Sequence, residues 1–260
     1  MDVKNLKVDF LVEDKVFPAV DGVDLYVNAR ESVVLAGESG SGKTVTALAL
    51  TRILPPNGRI VSGQVRLEGK DILTSNEKEL TAIRGAKIAY IFQEPSSYLN
   101  PVLTIGEQIV ETIILHQPLG RKEALLRAGA LLEQVKIGDA GRVLSSYPHQ
   151  LSGGMNQRAF IAMSLACKPD LLIADEPTTS LDVTIEARII SLLIELREQM
   201  GFSLLFITHN LSIAEKLAQR VYVMHRGKVV EDGPTGRIFS DPRHFHTREL
   251  IAAYRRIGKL

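Results

Sequence analysis

The chain has 260 residues, enough to bury a substantial core and near the upper end of what one domain holds. Lys and Arg number 31 against 30 Asp and Glu, a net charge of +1, which argues against a general affinity for nucleic acid or anionic lipid and requires any binding face to be local. Cys167 is the only cysteine, so an internal disulfide and a cluster held by several thiolates are both excluded, and a reducing compartment fits.

The opening residues, Met1-Asp2-Val3-Lys4-Asn5-Leu6-Lys7, carry charges where a secretory signal needs an apolar run. No later stretch stays apolar and uncharged long enough to span a bilayer, so the expectation is a chain soluble by itself, with docking on a membrane protein left open. Val23, Leu25 and Val27 alternate with polar residues, as do Val65 and Leu67, and both stretches read as half-buried strands. Val33-Val34-Leu35-Ala36 is a continuous apolar run ending in glycines, the pattern of a buried parallel strand. Thr44 to Leu54 then suits a helix stopped by Pro55-Pro56.

Four further runs read as strands: Ile88 to Phe92, Leu171 to Ala174, Leu204 to Ile207 and Val221 to Met224. Helical patterns separate most of them, one from Thr184 to Met200 with Gly201 at its end, and this alternation predicts an α/β domain with a largely parallel sheet. Between Pro95 and Gln150 the only patterns are helical, Ile105 to His116 and Arg121 to Val135, which reads as an inserted helical subdomain. After Gly227, Lys228 to Glu231 makes a hairpin-like return; a turn-rich link through Gly233-Pro234 and a terminal helix around Thr247 to Ile257 follow. His244 and His246 stand two apart in this polar tail, the usual arrangement of an exposed pair rather than a metal site.

Two segments carry phosphate chemistry by spacing and flanks. Gly37-Glu38-Ser39-Gly40-Ser41-Gly42-Lys43-Thr44 follows a buried strand and opens a helix, so its backbone N–H groups and the helix N-terminus can face phosphates. Lys43 is placed to reach the β- and γ-phosphates and Thr44 to offer its hydroxyl to Mg²⁺. Asp175 ends a second apolar strand, where a carboxylate can face the same Mg²⁺ through water, and Glu176 follows as the group that orients or deprotonates the attacking water.

With Leu151-Ser152-Gly153-Gly154 between these two segments, the chain resembles the ATP-binding subunit of an ABC transporter over essentially its whole length. The resemblance implies an α/β fold: a P-loop NTPase core with a mostly parallel sheet and an antiparallel N-terminal β-subdomain (1–94 and 160–235), a helical subdomain (95–159) and a C-terminal tail (236–260). It implies ATP and Mg²⁺ as ligands. Ser152, Gly153 and Gly154 would cap the γ-phosphate of ATP bound to a second subunit, Gln93 would touch Mg²⁺ and water, and His209 would contact the γ-phosphate and hold water and Glu176. Ser180-Leu181-Asp182 resembles the loop that crosses the dimer interface, although Asp182 fits an ordinary helix N-cap equally well. Phe10 corresponds to the aromatic residue that stacks on adenine, with Phe17 and Tyr26 as rivals and core packing as the alternative for all three.

One departure stands out. Met155 occupies the place where the family usually continues with Gln, and Gln157 comes two residues later; a thioether cannot replace a carboxamide's hydrogen bonds. Gly154 to Arg158, Ser97 to Pro101 with Thr104 to Gln108, and the tail from Ile238 to Thr247 resemble the oligopeptide, dipeptide and nickel importer branch, in its shorter members without C-terminal cysteines. This implies a peripheral subunit on the cytoplasmic face of the membrane, with a second ATPase subunit, membrane permeases and indirectly a solute-binding protein as partners, and no nucleic acid. Non-transport ABC ATPases, exporters or lipoprotein-releasing ATPases, and a catalytically silent regulatory module are the competing readings.

Overall fold

The computed structural model describes residues 1–179 and 182–257. They form two compact units: Met1–Leu80 joined by the chain from Leu204 onward, and Thr81–Ser203.

The first unit opens with β1 (Asp2–Val12) and β2 (Lys15–Tyr26), followed by β3 (Ser32–Gly37), α1 (Lys43–Leu50), β4 (Gly58–Leu67), the two-residue β5 (Lys70–Asp71) and α2 (Glu77–Ile83), which runs to its edge. An antiparallel sheet orders these strands β2-β1-β4-β5. Its inner face is built from Val3, Leu6, Val8, Val20, Val23, Leu25 and Val65, all buried. The inward alternation along β1 slips between Val3 and Leu6, where the register shifts and Asn5 takes φ 46, so one extra residue is absorbed as a bulge. Helix α1 ends at Leu50, short of the expected Leu54. Arg52 at φ 54 and the bonds Arg52 N–H to Ala49 O and Ile53 N–H to Leu48 O close it in a Schellman turn before the prolines are reached.

The second unit contains β6 (Ile88–Ile91), α3 (Pro95–Tyr98), α4 (Ile105–His116), α5 (Arg121–Gln134), α6 (Ala140–Leu144), a 3₁₀ turn at Pro148–Gln150, α7 (Gly153–Leu165), β7 (Leu171–Asp175) and α8 (Val183–Met200). β6 and β7 pair in parallel, with Ile91 opposite Ala174. Helices α4 and α5 match the expected helical stretch, and α8 ends at Gly201 in the left-handed conformation (φ 76). The segment from Asn100 to Gln108 has a structural task. Thr104 and Glu107 form a reciprocal capping box, and the buried Gln108 carboxamide accepts from Asn100 N–H at 2.8 Å and donates to the Asn100 and Leu103 carbonyls at 3.1 Å each.

The chain then returns to the first unit with β8 (Ser203–Thr208), α9 (Leu211–Leu217), β9 (Arg220–His225), β10 (Lys228–Pro234), α10 (Thr235–Ser240) and α11 (Phe245–Ile257). β3 is parallel to both β8 and β9, while β9 and β10 form an antiparallel hairpin through Arg226 and Gly227 at φ 47 and 78. The expected turn-rich link is instead the end of β10 followed by α10. What organises it is Glu231, 9 % exposed, whose carboxylate accepts from the Arg243 and His244 backbone N–H groups (3.0 and 2.9 Å) and from the Arg237 guanidinium (3.0 Å). Burial disfavours its charge, yet these donors hold its pKa below the usual carboxylate range.

Among the described residues, no helix is long and apolar enough to cross a membrane. Every residue of β8 is buried, and Phe206, wholly inaccessible, stands beside Val34 in the β3–β8 register. Phe206→Ala should lower unfolding free energy by about 3–5 kcal/mol in urea titration, with Phe206→Leu clearly milder. A loss below about 1 kcal/mol for the alanine variant would contradict a close-packed strand at this position.

Candidate active site

In the first unit, β3 runs buried to Gly37 and the chain turns through Glu38, Ser39 and Gly40, all exposed, before α1 starts at Lys43. The turn tolerates no side chain at two points. A Cβ on Gly37 would stand 2.3 Å from the Met224 carbonyl oxygen, and one on Gly42, at φ 103, 2.5 Å from that of Ala19. Gly42 offers α1 no side-chain cap and no acidic residue occupies the first helical turn, so the positive end of the helix is left uncompensated. Gly227 of the β9–β10 turn braces the loop by donating to Ser41 O at 2.9 Å.

Two features of this cradle suit an anionic ligand. The Ser41 hydroxyl is buried without a hydrogen-bond partner, and the buried Lys43 ammonium is folded onto the Gly37 and Glu38 carbonyls at 2.9 and 2.8 Å, inside the loop it closes. Thr44 follows, exposed, in the first turn of α1. His209 is exposed and immediately follows Thr208, which stands opposite Ala36 in the parallel register; the phosphate loop and His209 therefore leave neighbouring strands at the same carboxyl edge.

Phe10 lies on β1 between Phe17 of β2 and Gly58 of β4, half-exposed beside a cleft lined by Leu11, Val16, Pro56 and Arg59. Of its rivals, Tyr26 is already engaged: its ring meets Tyr222 edge-on at 6.3 Å and carries the Arg220 guanidinium at 4.4 Å. Phe17 remains 51 % exposed.

In the second unit the parallel register of β6 and β7 brings two expected groups to one edge: Gln93, exposed, two residues beyond Ile91, and Asp175, buried, one residue beyond Ala174. Asp175 has a partner that sequence reasoning missed. The Tyr90 hydroxyl donates to its Oδ2 at 3.0 Å, and Tyr90 in turn is held by Phe92 at 4.4 Å between ring centres. Burial, then the Asp175 charge, pushes the Tyr90 pKa up, so the phenol stays a donor. The only trace in the sequence was a polar-tipped aromatic in an otherwise aliphatic strand.

Glu176 takes φ 43, a left-handed conformation that is uncommon for a residue with a side chain and is held here by Thr179, whose hydroxyl donates to its Oε2 at 2.9 Å. Ser152 caps α7, accepting from Met155 N–H at 3.3 Å, so Met155 contributes its backbone whatever its side chain does. Gly153 and Gly154 form the first turn of α7. A Cβ on Gly154 would find its nearest neighbour, an Ile185 methyl, at 3.4 Å, so the chain's own packing has room for alanine there. Asp182 is an N-cap, accepting from Ile185 N–H at 2.9 Å, while Ser180 and Leu181 lie outside the described residues.

His246 overturns one expectation. It is 6 % exposed, not displayed in a polar tail, because Glu231 pins the preceding backbone; His244 is exposed.

Comparison with known proteins places the whole chain in a family. Residues 20–179 match the family model described as ABC transporter. The chain is 47% identical to a putative peptide import ATP-binding protein of Brucella melitensis over 99% of its own length and 78% of that protein's. It is 45% identical to the oligopeptide transport ATP-binding protein AppD of Bacillus subtilis over 97% of this chain and 77% of that protein. It is 46% identical to the glutathione import ATP-binding protein GsiA of Shigella dysenteriae over 99% of this chain and 42% of that protein. Among solved structures, a dimeric ATP-binding cassette in a post-hydrolysis state bound to ADP and Pi superposes with a TM-score of 0.80 at 28% identity, covering 90% of this chain and 98% of that one.

Tyr90→Phe keeps the ring and removes the hydroxyl from Asp175. Loss of a hydrogen bond to a charged group should raise the Mg²⁺ concentration needed for half-maximal ATP hydrolysis by about 10-fold, with the thermal midpoint little changed. An unaltered Mg²⁺ dependence would show that Tyr90 does not position this carboxylate.

Proposed function

The chain belongs to the ABC transporter family of ATP-binding proteins, an ATPase by descent, and we propose that it is the subunit that powers an importer of peptides. The observation that carries the reading is the pair of parallel-strand edges. One presents the phosphate loop with His209, and the other presents Asp175 and Glu176 with Gln93. Relatives named for peptide, oligopeptide and glutathione import support the cargo class over metal chelates.

Each residue has a definable task. Loop amides from Gly37 to Gly42, the Ser41 hydroxyl and Lys43 bind the phosphates of ATP, and Lys43 leaves its two carbonyls to follow the charge that develops on the transferring group. By the chemistry of their donors, Thr44 would offer Mg²⁺ its hydroxyl, Asp175 its carboxylate through water and Gln93 a further oxygen. Bound there, Mg²⁺ supplies a Lewis acid that neutralises phosphate charge. Glu176 takes the proton of the attacking water, oriented together with His209, and one of its carboxylate oxygens is positioned by the Thr179 hydroxyl. Phe10 stacks on the adenine ring.

Two such subunits would bind head to tail, with Ser152, Gly153 and Gly154 of one covering the nucleotide of the other. The spare room at Gly154 supports this. Glycine inside a helix costs about 1 kcal/mol relative to alanine, and nothing among the described residues demands it, so close approach from outside explains it better than internal packing. The helical subdomain, residues 95–159, would transmit closure to a membrane permease at the cytoplasmic face. Val102, Leu115 and Leu126 there are 75%, 66% and 70% exposed, apolar side chains that a partner could cover.

Glu176→Gln should reduce ATP turnover about 100-fold or more while retaining ATP binding, and ATP should convert the variant to a dimer in size-exclusion chromatography. Turnover near wild type would remove Glu176 from the base role. Isolated with its membrane partners and placed in vesicles, the wild-type chain should hydrolyse ATP faster when peptides and their binding protein are supplied. Stimulation by a metal chelate and not by peptides would reassign the cargo.

A further inference from the structure

The phosphate loop has a second set of polar neighbours that nucleotide chemistry does not use. Met224 stands opposite Gly37 in the β3–β9 register, so the next residue on each strand, His225 and Glu38, emerges at the same sheet edge. The chain returns to this edge in α11. Because Glu231 fixes the backbone at Arg243 and His244, His246 is delivered against His225, with ring centres 3.9 Å apart and planes inclined by 38°. Glu38, His225 and His246 each offer one ligand atom, and these atoms lie within 4.8 Å of one another.

His246 argues that the cluster is more than a stacked pair. It is 6 % exposed and its Nε2 is buried without a hydrogen-bond partner among the described residues, a state that lowers stability and that an apolar ring of similar size would avoid. Burial, then the neighbouring His225, pushes its pKa down, which keeps the imidazole neutral as a metal ligand must be. His225 is half-buried and Glu38 exposed, so the cluster opens to solvent on the carboxylate side. His244 contributes differently, its Nδ1 accepting from the His246 backbone N–H at 3.2 Å.

We infer that Glu38, His225 and His246 form a binding site for a divalent transition-metal ion of the Zn²⁺ type, joining the phosphate loop to the C-terminal helix. Two imidazoles and one carboxylate are a common Zn²⁺ donor set that leaves a fourth position for water. Ligand atoms around such an ion stand about 3.3–3.5 Å apart, so binding draws the three groups together by about an ångström, through movement of the exposed Glu38 side chain and turning of the His225 and His246 rings out of their stack. Imidazole nitrogens select against Mg²⁺ and Ca²⁺, which take oxygen ligands; the site is therefore chemically separate from the one that serves ATP.

The test uses the full chain without a histidine tag, stripped by chelator and free of nucleotide, titrated with ZnCl₂ by calorimetry and with CoCl₂ by visible absorption. One Zn²⁺ should bind per chain at micromolar or tighter affinity, and Co²⁺ should give d–d bands of a low-coordinate nitrogen and oxygen site. His246→Phe and, independently, His225→Phe should each weaken Zn²⁺ binding at least 10-fold and abolish the Co²⁺ bands. Should the buried substitution impair folding, the His225 variant decides. Absence of a saturable site, or undiminished affinity in His225→Phe, overturns the assignment. Since nucleotide is absent throughout, that failure would leave the ATPase reading intact.

Discussion

One steric constraint governs the first unit: the Met224 carbonyl oxygen lies where a side chain on Gly37 would have to be. Strands β3 and β9 can stay in parallel register through the Gly37–Met224 pair only because position 37 has no Cβ. That close approach fixes the start of the phosphate loop, the emergence of His225 beside Glu38, and the Gly227 turn that donates to Ser41. Loop, hairpin and carboxyl edge are thus one assembly. The free energy that holds it comes from the surrounding buried strands, not from the loop's own contacts.

In the second unit the governing contact is polar. Asp175 ends a strand with every residue buried, and a carboxylate in that position needs a donor to remain charged. Tyr90 supplies it from the neighbouring strand, and the aromatic packing of Phe92 against both Tyr90 and Tyr98 keeps the phenol in place. The next residue, Glu176, is strained, so a satisfied and a strained acidic group stand side by side. Such a division gives the two adjacent carboxylates different surroundings, one buried against a phenol and the other held by Thr179 on a strained backbone.

Much of this was legible in the sequence because it is written in local spacing. The run from Gly37 to Thr44, the apolar strand before Asp175 and the helical periodicity of α4, α5 and α8 each need only neighbours in the chain to be recognised. What escaped depends on pairing at a distance. Tyr90 and Asp175 are 85 residues apart, and their meeting follows from the β6–β7 register, which no local pattern specifies. The early stop of α1 turned on Arg52 adopting a conformation that composition does not favour. His246 read as exposed because its tail is polar, while the carboxylate that buries it lies on β10.

Glu231 grips the tail largely through main-chain amides, those of Arg243 and His244. Amide donors are the same whatever side chain is attached, so this anchorage carries almost no demand on the identity of the residues it holds. A single acidic residue on β10 thereby separates where the C-terminal segment runs from what it is made of. Side chains in the held stretch can therefore be exchanged without loosening this grip, so its path beside β10 does not depend on them.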